Sequence, residues 1–132
     1  MTRISCGDLI EPGTERADVF TVEGRLLTDV GGTIGASVLS TPGMIGMIER
    51  TAAALAYEHL PDGMATVGFE ICIKHVGASL EGSECEARAR LREVVDDRKF
   101  RFDVEVTEGE RTIGVGTHER RLIKFDQLAE SR

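Results

Sequence analysis

The hydrophobic period of this chain changes once, at the turn sequence Pro61-Asp62-Gly63. Before this turn, apolar residues recur every three or four positions, which predicts an amphipathic helix. After it, apolar and polar residues alternate along most of the chain, which predicts half-buried strands. One long helix followed by consecutive antiparallel strands, after one earlier strand, predicts an α+β meander in which a central helix packs against a curved antiparallel β-sheet.

The predicted helix begins at Thr41 and runs to about His59. We expect Thr41 to be the N-cap and Pro42 the first helical residue, where the missing N–H of proline costs nothing. The apolar face of this helix contains Met44, Ile45, Ile48, Ala52, Leu55 and Ala56. Because the opposite face, with Met47, is also weakly polar, we expect the helix to be covered on much of its circumference and to lie centrally.

The other segments follow from turn residues and alternation. Residues 1–13 are expected to be a loosely ordered lead-in, residues 16–27 a strand, and residues 28–38 a glycine-rich loop. Hairpin turns are predicted at Asp96-Asp97 and at Glu108-Gly109. The inward positions of the three strands after the helix are Val67, Phe69, Ile71, Ile73 and His75 in the first, Cys85, Ala87, Ala89 and Leu91 in the second, and Phe100, Phe102, Val104 and Val106 in the third.

The composition is that of an ordinary globular protein and predicts a single domain over residues 1–132. The chain is 41% hydrophobic and 30% charged, and neither a membrane span nor an export signal is predicted. Its three cysteines have no CxxC spacing, which favours reduced thiols in the cytoplasm over a disulfide framework or a zinc site. A net charge of -7 argues against nucleic acid and anionic membranes as partners.

Two polar residues fall at apolar positions of these patterns. Glu49 lies on the shoulder of the apolar helix face, and His75 continues the inward set of the first strand after the helix. Each has a structural interpretation, because Glu49 can reach out to an arginine and His75 can be a hydrogen-bonded core residue. The functional interpretation pairs them, since an imidazole oriented by a carboxylate is a base or a hydrogen-bond donor near neutral pH.

Thr41 is the third candidate, and an N-cap role alone would explain its presence. Its functional interpretation is that a helix N-terminus presents free N–H groups and a positive dipole end, which suit an oxyanion developing on a carbonyl. Eight residues of helix rise about 12 Å, so the side chains of Thr41 and Glu49 cannot meet along one helix. Either the chain before the helix curls back, or a partner subunit supplies one of the two residues.

The remaining histidines predict no metal site. His59 lies at the end of the helix and His118 on the last strand, without the close spacing that metal ligands on one element show. Arg120 and Arg121 are neighbours on that strand and face opposite ways, so one of the two can reach a pocket.

The chain resembles the fluoroacetyl-CoA thioesterase family of hot-dog proteins over roughly residues 38–123. The resemblance rests on T-x-G-M-I-G-M-I-E in the helix, G-F-E-I-C-I-K-H in the next strand and G-x-G-T-H-E-R in the last strand. It implies one hot-dog thioesterase-like domain that acts on an acyl-CoA without a further cofactor. Because hot-dog sites are generally built at dimer interfaces, it also implies a homodimer.

The resemblance implies a role for five residues of this chain. Thr41, Glu49 and His75 correspond to the catalytic set of the family, and Gly68 and Arg120 correspond to residues associated with the substrate site. In such a set, Glu49 acts either as the nucleophile or as the base for water, and the sequence leaves both alternatives open.

One segment departs from the family. The fluoroacetate-selective enzyme carries an aromatic-bearing lid ahead of the helix, whereas residues 28–38 here are glycine-rich and contain no Phe, Tyr or Trp. We therefore expect hydrolase chemistry on a small or unidentified acyl group. A non-catalytic module that binds an acyl or other small molecule is an alternative, and an enoyl-CoA hydratase or dehydratase is a further one.

Overall fold

The computed structural model describes residues 6–126 and contains one large sheet covered by one long helix. In chain order the elements are α1 (Cys6–Leu9), β1 (Glu15–Thr21), a 3-10 turn (Gly24–Leu26), β2 (Leu27–Thr28), β3 (Val38–Leu39), α2 (Thr41–Tyr57), β4 (Met64–His75), β5 (Glu84–Val95), β6 (Lys99–Glu108) and β7 (Arg111–Lys124). The large sheet is antiparallel, with the strand order β1-β5-β6-β7-β4, and β2 pairs with β3 separately.

Strands β5, β6 and β7 form the predicted meander, but β4 does not join it beside β5. Instead β4 pairs with β7 and forms one edge of the sheet, three strand positions away from β5. Residues 76–83 make this crossing, which covers about 14 Å at the usual strand spacing and is within reach of eight extended residues. As a result, one whole edge of β4 has no neighbouring strand among the described residues.

The core lies between α2 and the inner face of the sheet. Its buried apolar residues, each at most 3% exposed, are Ile10, Val22, Leu39, Met44, Met47, Ile48, Ala52, Leu55, Ala56, Cys85, Ala87, Ala89, Leu91, Phe100, Phe102, Val104, Val106 and Ile113. The predicted inward faces of β5 and β6 are thereby confirmed. Burial of Met47 as well as Met44 agrees with a helix covered on much of its circumference.

The turn between β5 and β6 confirms the predicted hairpin at Asp96-Asp97. Both residues have positive φ, 54° and 58°, as the two central positions of a type I′ turn require. None of the helices within residues 6–126 is long and apolar enough to span a membrane.

The N-terminal part of the chain differs from expectation in two ways. The first strand ends at Thr21 rather than near residue 27, because the chain turns at Gly24, whose φ is +57°. The segment expected to be a loose lead-in forms a short helix from Cys6 and buries Ile10 at 1% exposure. Residues 1–5 lie outside the described residues.

A β-bulge at Phe69 changes which side chains of β4 face the helix. Gly68 pairs with Arg120 and Glu70 with the preceding residue of β7, so Phe69 has no opposite residue. The prediction that Val67 and Phe69 point inward is wrong, since they are 43% and 58% exposed. The bulge places Gly68 and His75 on the same face, although seven residues separate them and a regular strand would place them on opposite faces.

Candidate active site

The first turn of α2 contains one half of the candidate site. The N-cap is Ser40 rather than Thr41, because the Ser40 hydroxyl accepts a hydrogen bond of 2.9 Å from the backbone N–H of Gly43. The predicted N-cap was therefore one residue too late. Thr41 is the first helical residue, and its hydroxyl oxygen lies 2.8 Å from Nδ1 of His75 at the end of β4.

This end of the helix offers fewer free donors than the sequence suggested. Pro42 has no N–H, and the N–H of Gly43 is bound by the cap. The N–H of Met44 donates to the Ser40 carbonyl. In the first turn of α2, the hydroxyl and N–H of Thr41 are therefore the groups that can form a hydrogen bond with a polar atom of a ligand.

The second half of the site surrounds Glu49. Its side chain is 44% exposed, and its Oε2 lies 3.6 Å from Nη1 of Arg120. A Cβ atom on Gly68 would come within 2.7 Å of the same oxygen. Glycine at this position therefore allows the carboxylate to lie against the backbone of β4.

Arg120 is fixed on all sides of its guanidinium group. It is only 6% exposed, and its Nε and Nη2 donate to the hydroxyl and carbonyl oxygens of Thr66 at 2.8 and 2.9 Å. Its Nη1 lies 3.1 Å from Nε2 of His118 and faces Glu49. Burial lowers the pKa of the Arg120 guanidinium, and the Glu49 carboxylate opposes that shift.

His118 completes this cluster. The ring is 3% exposed, lies beside Phe102 and has its Nδ1 2.8 Å from the carbonyl oxygen of Glu70. Burial is the main cause that lowers the pKa of His118, and the positive charge of Arg120 lowers it further. A groove of about 220 Å³ opens over this cluster, lined by Glu49, Gly68, Phe69, Glu70, Ile71 and His118.

The structure thus divides the five predicted site residues into two groups. Thr41 contacts His75, and Glu49 contacts Gly68 and Arg120. Because α2 is regular from Thr41 onwards, the chain does not curl back, and about 12 Å of helix rise separates the two groups within one chain.

Thr66 and His118 were not among the residues predicted for this site. The alternation of β7 was available as a signal, because it puts His118 and Arg120 on one face. Within residues 6–126, no three His, Cys, Asp or Glu side chains are close enough together to hold a metal ion.

A family model described as fluoroacetyl-CoA-specific thioesterase matches residues 22–126. The chain belongs to this family. It is 31% identical over 91 residues to the fluoroacetyl-CoA thioesterase of Streptantibioticus cattleyicolor, a match that covers 69% of this chain and 65% of that protein. The chain therefore spans slightly less than two thirds of the length of this curated relative.

Solved structures confirm the predicted hot-dog architecture for this member of the fluoroacetyl-CoA-specific thioesterase family. A mutant of the fluoroacetyl-CoA thioesterase FlK in complex with acetyl-CoA superimposes with a TM-score of 0.84 at 23% identity, over 92% of this chain and 96% of that one. A hot-dog-like protein from Thermanaerovibrio acidaminovorans gives a TM-score of 0.88 at 17% identity, over 97% and 94% of the two chains.

Proposed function

We propose that this protein hydrolyses an acyl-CoA thioester to a free acid and CoA. The observation that carries the proposal is the contact of the Thr41 hydroxyl with His75, in a chain of the fluoroacetyl-CoA-specific thioesterase family. Acetyl-CoA in the complex of a structural relative supports an acyl-CoA as the ligand. Coenzyme A enters as part of the substrate, and the proposal requires no further cofactor.

In this proposal Thr41 binds the thioester carbonyl through its hydroxyl and N–H, which stabilises the oxyanion that forms during attack. Glu49 attacks the carbonyl carbon or activates a water molecule that does so, and His75 transfers the proton. In either route water supplies an oxygen to the acid, the C–S bond breaks, and the thiolate of CoA takes up a proton. Arg120 and Gly68 hold the carboxylate of Glu49 beside the groove.

We further propose that the working site forms in a homodimer. The open edge of β4 favours strand pairing with a second copy, and its exposed Val67 and Phe69 lie along that edge. When the bulged Phe69 is left out of the count, Cys72 lies midway along β4 between Gly68 and His75. Antiparallel pairing of two β4 strands about Cys72 would set His75 of each chain opposite Gly68 of the other, and so bring Thr41 and His75 of one chain towards Glu49 of its partner.

The exposed thiol of Cys72 provides a test of this dimer. Under mild oxidation we expect a disulfide between the two Cys72 residues, because directly opposed residues of paired strands lie within disulfide range. The Cys72→Ser variant should form no such link while keeping the same sedimentation behaviour as the wild type. A protein that sediments as a monomer at micromolar concentration would rule the dimer out.

For the acyl group, we propose a small acyl chain without selectivity for fluoroacetyl. Residues 28–38 carry no aromatic side chain, and their exposed large apolar residues are Val30 and Ile34. The proposal also retains a single domain and a cytoplasmic location, which remain predictions from length and cysteine content.

The activity is tested by CoA release from acetyl-CoA, fluoroacetyl-CoA and longer acyl-CoAs. We expect Glu49→Gln to reduce kcat by about a hundredfold or more, because the amide neither attacks nor removes a proton. Glu58→Gln, a change of the same type at the exposed C-terminal end of α2, is the matched control. Equal rates for wild type and Glu49→Gln would reject the assignment.

Two further measurements, thermal stabilisation by acyl-CoA and hydration of an enoyl-CoA, separate the two alternatives. A binding module would show thermal stabilisation by acyl-CoA without CoA release. A hydratase or dehydratase would add water to an enoyl-CoA and leave the thioester intact.

A further inference from the structure

His118 is a buried histidine to which the proposed reaction assigns no step. It lies on β7 at 3% exposure, opposite Phe102 on β6 and Ile71 on β4. Both of its ring nitrogens are within hydrogen-bond distance of a defined partner, one on each side of the ring. The ring therefore connects the backbone of β4 to the side chain of Arg120.

These partners determine the tautomer of the ring. The carbonyl oxygen of Glu70 can only accept, so Nδ1 of His118 carries the hydrogen and donates at 2.8 Å. The guanidinium of Arg120 can only donate, so Nε2 of His118 has no hydrogen and accepts at 3.1 Å. His118 is therefore the neutral Nδ1–H tautomer in this arrangement.

The acceptor on His118 decides where the guanidinium group points. Two edges of Arg120 are taken by Thr66, and the Nη1 edge is taken by His118 and faces Glu49 at 3.6 Å. A planar guanidinium held at three nitrogens cannot rotate without breaking hydrogen bonds. The position of the cation beside Glu49 thus depends on a neutral acceptor at His118.

We propose that His118 is a positioning residue for Glu49 and acts through Arg120, as a neutral hydrogen-bond acceptor. The imidazole does not contact the substrate in this scheme. The effect of His118 on catalysis rests on the proposed thioesterase function, whereas the tautomer of His118 and its hydrogen bond to Arg120 do not.

Two substitutions separate the two hydrogen bonds of the ring. The amide of a glutamine extends to about the position of Nε2, so His118→Gln keeps an acceptor for Arg120 and loses the bond to Glu70. The amide of an asparagine extends only to about Nδ1, so His118→Asn keeps a donor for Glu70 and loses the acceptor. We expect His118→Gln to be the more active variant and His118→Asn the more stable one.

The expected size of the difference is a kcat for His118→Asn about tenfold or more below that of His118→Gln, because a misplaced carboxylate slows the chemical step. KM should change less than kcat, since the ring is only 3% exposed and both of its nitrogens are bonded within the protein. Urea unfolding of both variants checks the order of stability. If activity simply follows stability across the two variants, the role is structural and the proposal is wrong.

A double-mutant cycle tests whether the effect passes through Arg120. In an Arg120→Lys background, His118→Asn should cost little further activity, because the guanidinium group that His118 orients is already absent. Losses that multiply instead would mean that His118 acts independently of Arg120 and would overturn the proposal.

A closing measurement does not depend on activity. In the ¹⁵N spectrum of the labelled protein at pH 7, we expect His118 to show a protonated Nδ1 and an unprotonated Nε2, with His118→Gln providing the assignment. A protonated Nε2 would overturn the proposal even if thioester hydrolysis is observed. Absence of hydrolysis together with the expected tautomer would instead reject the proposed function and its catalytic consequence, while the His118–Arg120 bond stands.

Discussion

The hydroxyl oxygen of Thr41 lies 2.8 Å from Nδ1 of His75, and this contact exists because the neighbouring residue caps the helix. An N-cap threonine would direct its hydroxyl at the backbone of its own helix. With Ser40 in that role, the two adjacent hydroxyls have separate tasks, one towards the helix and one towards the end of β4.

We predict that substitutions at these neighbouring positions have different effects. Ser40→Ala should lower the free energy of unfolding by about 1 kcal/mol through loss of the cap. Thr41→Val should lower kcat by about tenfold or more with a smaller effect on stability, because the exposed hydroxyl serves the reaction rather than the fold. Urea unfolding and CoA release, measured on both variants, check this. The interpretation fails if Thr41→Val is the less stable of the two.

Gly68→Ala should change stability and activity in opposite directions. Alanine in a strand stabilises by about 0.5–1 kcal/mol over glycine, and Gly68 has no positive φ that would cancel this gain. The added Cβ would lie 2.7 Å from the Glu49 carboxylate and displace that flexible side chain, which should lower kcat. In a Glu49→Asp background the shorter acid leaves room for the Cβ, so Gly68→Ala should cost little further activity. Equal losses in both backgrounds would contradict this account.

Arg120→Met should be strongly destabilising. The substitution leaves the Thr66 oxygens and Nε2 of His118 without their donor, and each unsatisfied buried group costs about 1–3 kcal/mol. Arg120→Lys keeps the charge but lacks the planar fork, so its stability should lie between those of Arg120→Met and the wild type. Chemical denaturation measures this order. Arg98→Lys, at an exposed position in the turn between β5 and β6, is the control and should lie close to the wild type.

The pH dependence of stability should reveal the neutral state of His118. Its folded pKa lies below the unfolded value of about 6.5, because burial and Arg120 disfavour the imidazolium, while the hydrogen bond to the Glu70 carbonyl and, more weakly, the Glu49 charge oppose this shift. The unfolded chain therefore binds more protons, and stability should fall as pH decreases below about 6.5, by at most about 1.4 kcal/mol per pH unit. His118→Gln lacks this contribution, so the difference between the two unfolding curves should narrow between pH 7 and 5. A constant difference would contradict a lowered pKa.

The parts of the fold that could be predicted were those with unbroken periodicity. Burial alternates without interruption from Cys85 to Leu91 in β5 and from Phe100 to Val106 in β6, so counting residues was enough to predict these inward faces. The pattern of β4 looks equally regular, but one extra residue at Phe69 reverses the faces, and an isolated glycine before it was the only local signal. The edge position of β4 depends on the path of residues 76–83, which no local pattern describes.

The candidate site shows the same division. Glu49 and His75 could be predicted from the sequence because each breaks an apolar pattern. The bonds that fix Arg120 join β7 to Thr66, 54 residues earlier in the chain, and became visible only with the sheet register. The N-cap was misassigned because serine and threonine stand next to each other and either can cap a helix.

The bulge in β4 means that this strand contains one residue more than its pairing with β7 requires. Phe69 points outwards, where its ring packs on Arg121, and other side chains can take that place. Loss of the residue itself would leave Gly68 and His75 six positions apart in a regular strand, and therefore still on the same face. Relatives that keep both halves of the site should therefore tolerate substitution and even loss of this residue, and a deletion of Phe69 should leave both halves of the site facing the helix and retain activity.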